Sequence, residues 1–136
     1  MPSILVAEDS FSLANLLEVV LKQSGFEVFL AHRGDHAAAE AQRTAFDILV
    51  LDQQMPGMTG IEVLRSVRCG GPNQASPAYL CTAKSHELNI VELQMELEID
   101  GVFNKPFSPR DLIDTLLMAS RSLDRRRAKA ELAACS

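Results

Sequence analysis

Short apolar runs alternate along the chain with longer segments in which apolar residues return every three or four positions, and a few turn residues separate each pair. The runs are Ile4 to Ala7, Phe26 to Leu30, Ile48 to Leu51, Ala78 to Cys81 and Val102 to Phe103. Most are unbroken, the pattern of strands covered on both faces, and they predict five parallel strands. Phe11 to Gln23 carries Leu13, Leu16, Leu17 and Val20 at helical spacing, with Gly25 as the left-handed stop. A second helix is expected over Gly34 to Thr44, alanine-rich and suited to close packing on a sheet. Thr59 and Glu62 form a capping-box pattern opening a third helix, with Ile61, Leu64 and Val67 on its apolar face and Gly70, Gly71 and Pro72 at its end. The fourth is expected over Ser85 to Leu97, with Leu88, Val91 and Met95 inward.

Ser108, Pro109 and Asp111 are the start signal of a fifth helix, whose apolar face runs through Leu112, Ile113, Leu116, Leu117 and Leu123. After Leu123 there is no stripe left to bury, so residues 1–123 read as the folded domain and 124–136 as an exposed extension of the helix or the start of a linker. Right-handed crossovers then place helices on both faces of the sheet, giving an α/β fold, a three-layer (βα)5 sandwich with the flavodoxin-like strand order 2-1-3-4-5.

A chain of 136 residues, 47% hydrophobic, supplies one core and excludes two full domains. A net charge of -5 removes the electrostatic basis for nucleic-acid binding by the domain. No apolar stretch is long enough to cross a bilayer, and the start lacks an export signal, so no membrane partner and a cytoplasmic location are expected. Cys69, Cys81 and Cys135 have no disulfide or zinc spacing and read as reduced thiols.

In an open α/β sheet the ligand crevice lies outside the carboxyl ends of the strands. There the sequence places Glu8 and Asp9 after the first strand, Asp52 after the third, Thr82 after the fourth and Lys105 near the end of the fifth. The first and third strands are expected to be neighbours, which brings three carboxylates together. Such a group is relieved by a hard divalent cation, and Mg²⁺, which takes few protein carboxylates and readily shares phosphate oxygens, suits it. Lys105 can bind the far side of a phosphoryl group and Thr82 can donate a hydrogen bond to it. A carboxylate can itself be the nucleophile, and the centrally placed Asp52 is the best candidate.

With Ile-Leu-Val-Ala-Glu-Asp-Ser at 4–10, Asp-Ile-Leu-Val-Leu-Asp-Gln-Gln-Met-Pro-Gly-Met-Thr-Gly at 47–60, Thr-Ala at 82–83 and Lys-Pro-Phe at 105–107, the chain resembles the receiver domain of two-component response regulators over about Ile4 to Leu123. The resemblance implies a phosphorylation-dependent switch rather than an enzyme with an independent substrate. Asp52 would be the phosphoacceptor, Thr82 the switch hydroxyl and Lys105 a phosphoryl contact, with a cis Lys105–Pro106 bond. Glu8, Asp9, Asp52 and the Gln54 backbone carbonyl would hold Mg²⁺, Asp9 more directly than Glu8. The implied donor is a sensor histidine kinase or a histidine phosphotransfer protein. Output would pass to a downstream protein or an attached output domain, and the face of the fourth helix, fifth strand and fifth helix could pair two copies.

One position departs from the family. Three residues before the lysine, where Tyr or Phe is usual, stands Val102, and Phe103 beside it is expected to face the other side of the sheet. That departure supports an alternative, a constitutive interaction module that keeps the fold without using phosphate. A flavin carrier would want a hydroxyl-rich phosphate loop where Glu8 and Asp9 stand. Gln53, Gln54 and Lys84 flank the pocket, and a long Gln54 or Lys84 side chain is expected to screen the phosphate. His32, His36 and His86 read as surface residues, Met55-Pro56-Gly57 as a turn, and Arg125 to Lys129 as a solvated helix end.

Overall fold

The computed structural model describes residues 1–135. Its elements alternate strictly: β1 (Ser3–Ala7), α1 (Phe11–Gln23), β2 (Glu27–Ala31), α2 (Gly34–Arg43), β3 (Ile48–Asp52), α3 (Gly60–Cys69), β4 (Ala78–Thr82), α4 (Ile90–Leu97), β5 (Gly101–Asn104) and α5 (Pro109–Cys135). The strands are all parallel in the order β2-β1-β3-β4-β5. This is the expected three-layer arrangement, and β1 and β3 are neighbours.

The two-residue period of the strands sorts their side chains between two cores. Ile4 and Val6 of β1 join Ile48 and Val50 of β3 under α1 and α5, where Leu17, Leu21, Leu112 and Leu116 close the layer. Leu5, Ala7, Leu49 and Leu51 point the other way, against α2, α3 and α4. The alanines of α2, Ala37, Ala38 and Ala41, are buried there and let that helix lie close to the sheet. Each large apolar side chain withdrawn from water in these layers contributes about 1.5–3 kcal/mol.

The start and stop signals are realised locally. In α3 the Glu62 N–H donates to Thr59 Oγ1 at 3.2 Å, and the Glu62 carboxylate accepts from the Thr59 N–H at 3.1 Å, completing the capping box. Gly25 ends α1 with φ +96°, where a side chain would be strained. α5 begins at Pro109 as expected and continues as a helix to Cys135, with residues 124–134 exposed. Cys69 is exposed and Cys81 buried, both as free thiols, while the Cys135 side chain lies outside the described residues.

Two elements differ from expectation. β2 runs one residue later than the apolar run, because Phe26 is buried from the turn before it, with its N–H bonded to the Leu21 carbonyl. The fourth helical segment is broken. Ser85–Glu87 forms a single 3-10 turn, Leu88 is extended, and α4 starts only after Asn89, whose side chain caps the Glu92 N–H at 3.1 Å. Its inward residues are Leu93 and Leu97; Leu88 is half-buried, and Val91 and Met95, expected inside, stand exposed. Apolar residues lie on both sides of this eight-residue helix, so periodicity alone does not fix which side faces the sheet.

Candidate functional site

The polar residues singled out at the strand ends converge. Glu8 and Asp9 follow β1, Asp52 and Thr82 are the last residues of β3 and β4, and Lys105 follows β5. Carboxylate oxygens of Glu8, Asp9 and Asp52 lie within 4.8 Å of one another. Glu8 and Asp52 are both 2% exposed, whereas Asp9 faces solvent. The backbone is held at the rim by bonds that prolong the sheet: the Glu8 N–H to the Ala31 carbonyl, the Gln53 N–H to that of Cys81 and the Lys105 N–H to that of Thr82, each at 2.9 Å. α3 presses close behind, and a Cβ at Gly60 would come within 2.6 Å of the Asp52 carbonyl oxygen.

Lys105 is the cation of the cluster. Its Nζ donates to Glu8 Oε1 at 2.7 Å and Oε2 at 3.0 Å and lies 3.1 Å from Asp52 Oδ2. Burial, then the hydrogen bond and charge of Glu8, push the Asp52 carboxyl up to about 7 against the opposing pull of Lys105. Burial pulls the Lys105 ammonium down, but its bond to Glu8 and the charge of Asp52 outweigh this and its pKa is raised. One cation thus serves two buried carboxylates, and the cluster is short of positive charge. Burial also pushes the neighbouring Cys81 thiol up to about 12, which leaves it unreactive.

Asp52 Oδ1 is buried without a hydrogen-bond partner. An orphaned anionic oxygen beside two further carboxylates is an all-oxygen donor set of the kind a hard divalent ion takes, so the residues present fit Mg²⁺. The space beneath the carboxylates is only about 10 Å³, so a ligand must approach from the solvent side, past Asp9. The larger concavity, a groove of about 780 Å³, runs along β2 and α2 and touches the cluster only at Asp9.

Thr82 is fully buried and its hydroxyl is already engaged: it accepts from the Lys84 N–H at 3.0 Å and donates to Gln54 Oε1 at 3.1 Å. The neighbouring Gln53 is turned away, its Oε1 accepting from the Ile61 N–H at 2.9 Å at the start of α3. Of the two glutamines after Asp52, Gln54 is the one that reaches the threonine, a distinction the sequence does not carry. The Lys105–Pro106 bond is cis, and in the separate segment Met55-Pro56-Gly57 the glycine has φ +85°. Val102 packs toward α4, whereas Phe103 faces the opposite side of the sheet, 5.9 Å from the Tyr79 ring and 5.8 Å from that of Phe107. His32, expected at the surface, is half-buried: its ring stacks on Phe11 at 4.1 Å, and Nδ1 lies 3.2 Å from the Glu8 carbonyl oxygen.

The sheet is doubly wound and parallel, and it gathers this acidic cluster, a lysine and a threonine at its carboxyl edge, where open α/β sheets form their ligand crevice. The response regulator receiver domain family matches residues 4–117, and the chain belongs to that family. It is 37% identical over 113 residues to the sensory transduction protein RegX3 of Mycolicibacterium smegmatis, a match covering 83% of this chain and 48% of RegX3. The chain therefore spans about half the length of the curated relatives it matches. Among solved structures it superposes on the chemotaxis response regulator CheY4 of Vibrio cholerae, with TM-score 0.78 and 30% identity, covering 88% of this chain and 98% of that one. It also superposes on the response regulator TrrA of Thermotoga maritima, solved with Mg²⁺ and beryllofluoride, with TM-score 0.75 and 27% identity, covering 88% and 99%. Receiver domains are signalling parts of two-component systems and not classical enzymes.

Proposed function

We propose that this receiver domain accepts a phosphoryl group on Asp52 from a phosphohistidine, with Mg²⁺ held by Glu8, Asp9, Asp52 and the Gln54 backbone carbonyl. The observation that carries the reading is Asp52 itself: a buried carboxylate with one oxygen on Lys105 and the other without any partner, beside two further acids. TrrA, a similar protein, binds Mg²⁺ and beryllofluoride.

The ionised Asp52 carboxylate attacks phosphorus as the bond to the donor imidazole nitrogen breaks, and that nitrogen leaves with the bonding electron pair. Mg²⁺, when bound, offsets charge on the carboxylates and the transferred oxygens. Lys105, bonded to Glu8 before transfer, is placed to swing its ammonium onto a phosphoryl oxygen once Glu8 is otherwise neutralised. Thr82 supplies the second donor. Water later returns the group as inorganic phosphate, so the chemistry acts on the domain's own aspartate.

The partners of this reading are a sensor histidine kinase or a histidine phosphotransfer protein, within the cytoplasm. Output passes across α4, β5 and α5, where Val91, Met95 and Met118 are exposed, to a target protein, an attached output domain or a second copy of the chain. Val102 favours a second reading, a constitutive interaction module, because no ring is present there to move with the threonine.

Incubation with acetyl phosphate and Mg²⁺ followed by mass spectrometry separates the two. One added phosphate, lost in Asp52→Asn, is the expected outcome; an unmodified wild-type chain gives the constitutive reading instead.

A further inference from the structure

The Thr82 hydroxyl has one proton, and it is spent on Gln54. We propose that Gln54 is a latch: its side-chain carbonyl holds Thr82 in the orientation of the unphosphorylated protein and competes with the phosphoryl group for the same proton. The inference rests on the phosphoacceptor reading above and assigns Gln54 as a positioning residue acting through Thr82.

The geometry makes the competition strict. One acceptor position of Thr82 Oγ1 is filled by the Lys84 N–H at 3.0 Å, and the hydroxyl is completely buried, so no water substitutes as a second acceptor without rearrangement. For Thr82 to donate to an oxygen on Asp52, the bond to Gln54 Oε1 has to open. Gln54 itself is exposed, on the loop two residues after Asp52, and no core packing requires its side chain to reach β4, 28 positions further along the chain. The same loop is clamped on its other side by Gln53, whose side chain and carbonyl cap α3. Gln54 therefore swings from a fixed base. Val102 offers no ring at that position, and Gln54 is the side-chain partner of the Thr82 hydroxyl, beside the Lys84 backbone N–H.

A neutral hydrogen bond of this kind biases a two-state equilibrium by roughly 2- to 10-fold, which is the expected gain in apparent affinity for beryllofluoride when it is removed. Gln54→Met is the informative variant: it keeps the length of the side chain and its cover over the pocket but removes the acceptor. Calorimetric titration of the full chain with Mg²⁺ and beryllofluoride is expected to give roughly 2- to 10-fold tighter binding for Gln54→Met than for wild type. The same substitution in a Thr82→Ala background is expected to change nothing. In metal-free protein, three-bond couplings to the Thr82 methyl group should report one side-chain rotamer in wild type and an average in Gln54→Met.

If wild type does not bind beryllofluoride, the phosphoacceptor reading fails, and the couplings alone decide whether the latch exists. Wild-type binding with unchanged affinity in Gln54→Met overturns the latch, as does a gain that persists without the Thr82 hydroxyl. Unaveraged couplings in the metal-free variant overturn it too.

Discussion

At the scale of single residues the site is governed by a shortage of positive charge. Asp52 ionises with difficulty because it is buried beside Glu8, and its pKa near 7 lies above that of a carboxyl in the unfolded chain. The folded protein therefore binds more protons than the unfolded chain between the ordinary carboxylate range and about pH 7, so stability from this group is full below that range and is lost as pH rises through 7. Thermal melts of metal-free protein between about pH 5 and about pH 8 are expected to show wild type losing roughly 2 kcal/mol relative to Asp52→Asn over that interval. Mg²⁺ should abolish the difference at the upper end. Equal pH slopes for the two proteins would mean that Asp52 is not strained. The residues of this cluster are legible in sequence because each ends a strand. Asn73 is not: it is a loop residue without a motif, yet its buried amide accepts from the Phe46 N–H at 2.6 Å and donates to the Ala41 and Thr44 carbonyls at 2.7 Å, tying three segments together. Only the tertiary contact distinguishes it from any other turn asparagine.

At the scale of elements, chain order and strand ends follow from the alternation of apolar runs and turn signals, while the phase of α4 does not. A stripe is readable when one side of a helix is polar, as in α3, whereas α1 leaves Phe11, Leu16 and Val19 exposed. In α4, Ile90, Val91, Leu93, Met95 and Leu97 surround the axis, and packing of Leu93 and Leu97 against the sheet decides the matter. The two ends of α4 are held unequally. Arg68 donates to the Leu97 carbonyl at 2.8 Å and, through Nη1, to those of Ser76, Gln74 and Asn73, so the carboxyl end is pinned to α3 and the loop between α3 and β4. The amino end, nearest Thr82, hangs on the Asn89 cap. Asn89→Ala is expected to cost about 1 kcal/mol. Hydrogen exchange should place the loss in residues 90–93, ahead of the strand amides; uniform acceleration across the domain would contradict this division.

For the whole molecule, the packed layers end with Leu123, and α5 continues beyond it with residues 124–134 exposed. Its one ion pair to the body among the described residues joins Arg127 to Asp47, which also accepts from the Ser3 N–H at 2.7 Å. Removal of residues 124–136 is expected to shift the unfolding free energy by less than about 1 kcal/mol in a chemical denaturation series, since the side chains of residues 124–134 are all exposed. A larger loss would make the extension part of the fold.

The placement of Phe103 has an optical consequence. The chain has a single tyrosine and no tryptophan, and that tyrosine, Tyr79, lies under α5 in the ring cluster with Phe103, on the far side of the sheet from Val102. Native ultraviolet emission thus comes from the layer under α5, on the opposite side of the sheet from Val102. With no native tryptophan, one indole introduced beside the carboxyl edge would be the sole emitter in its band.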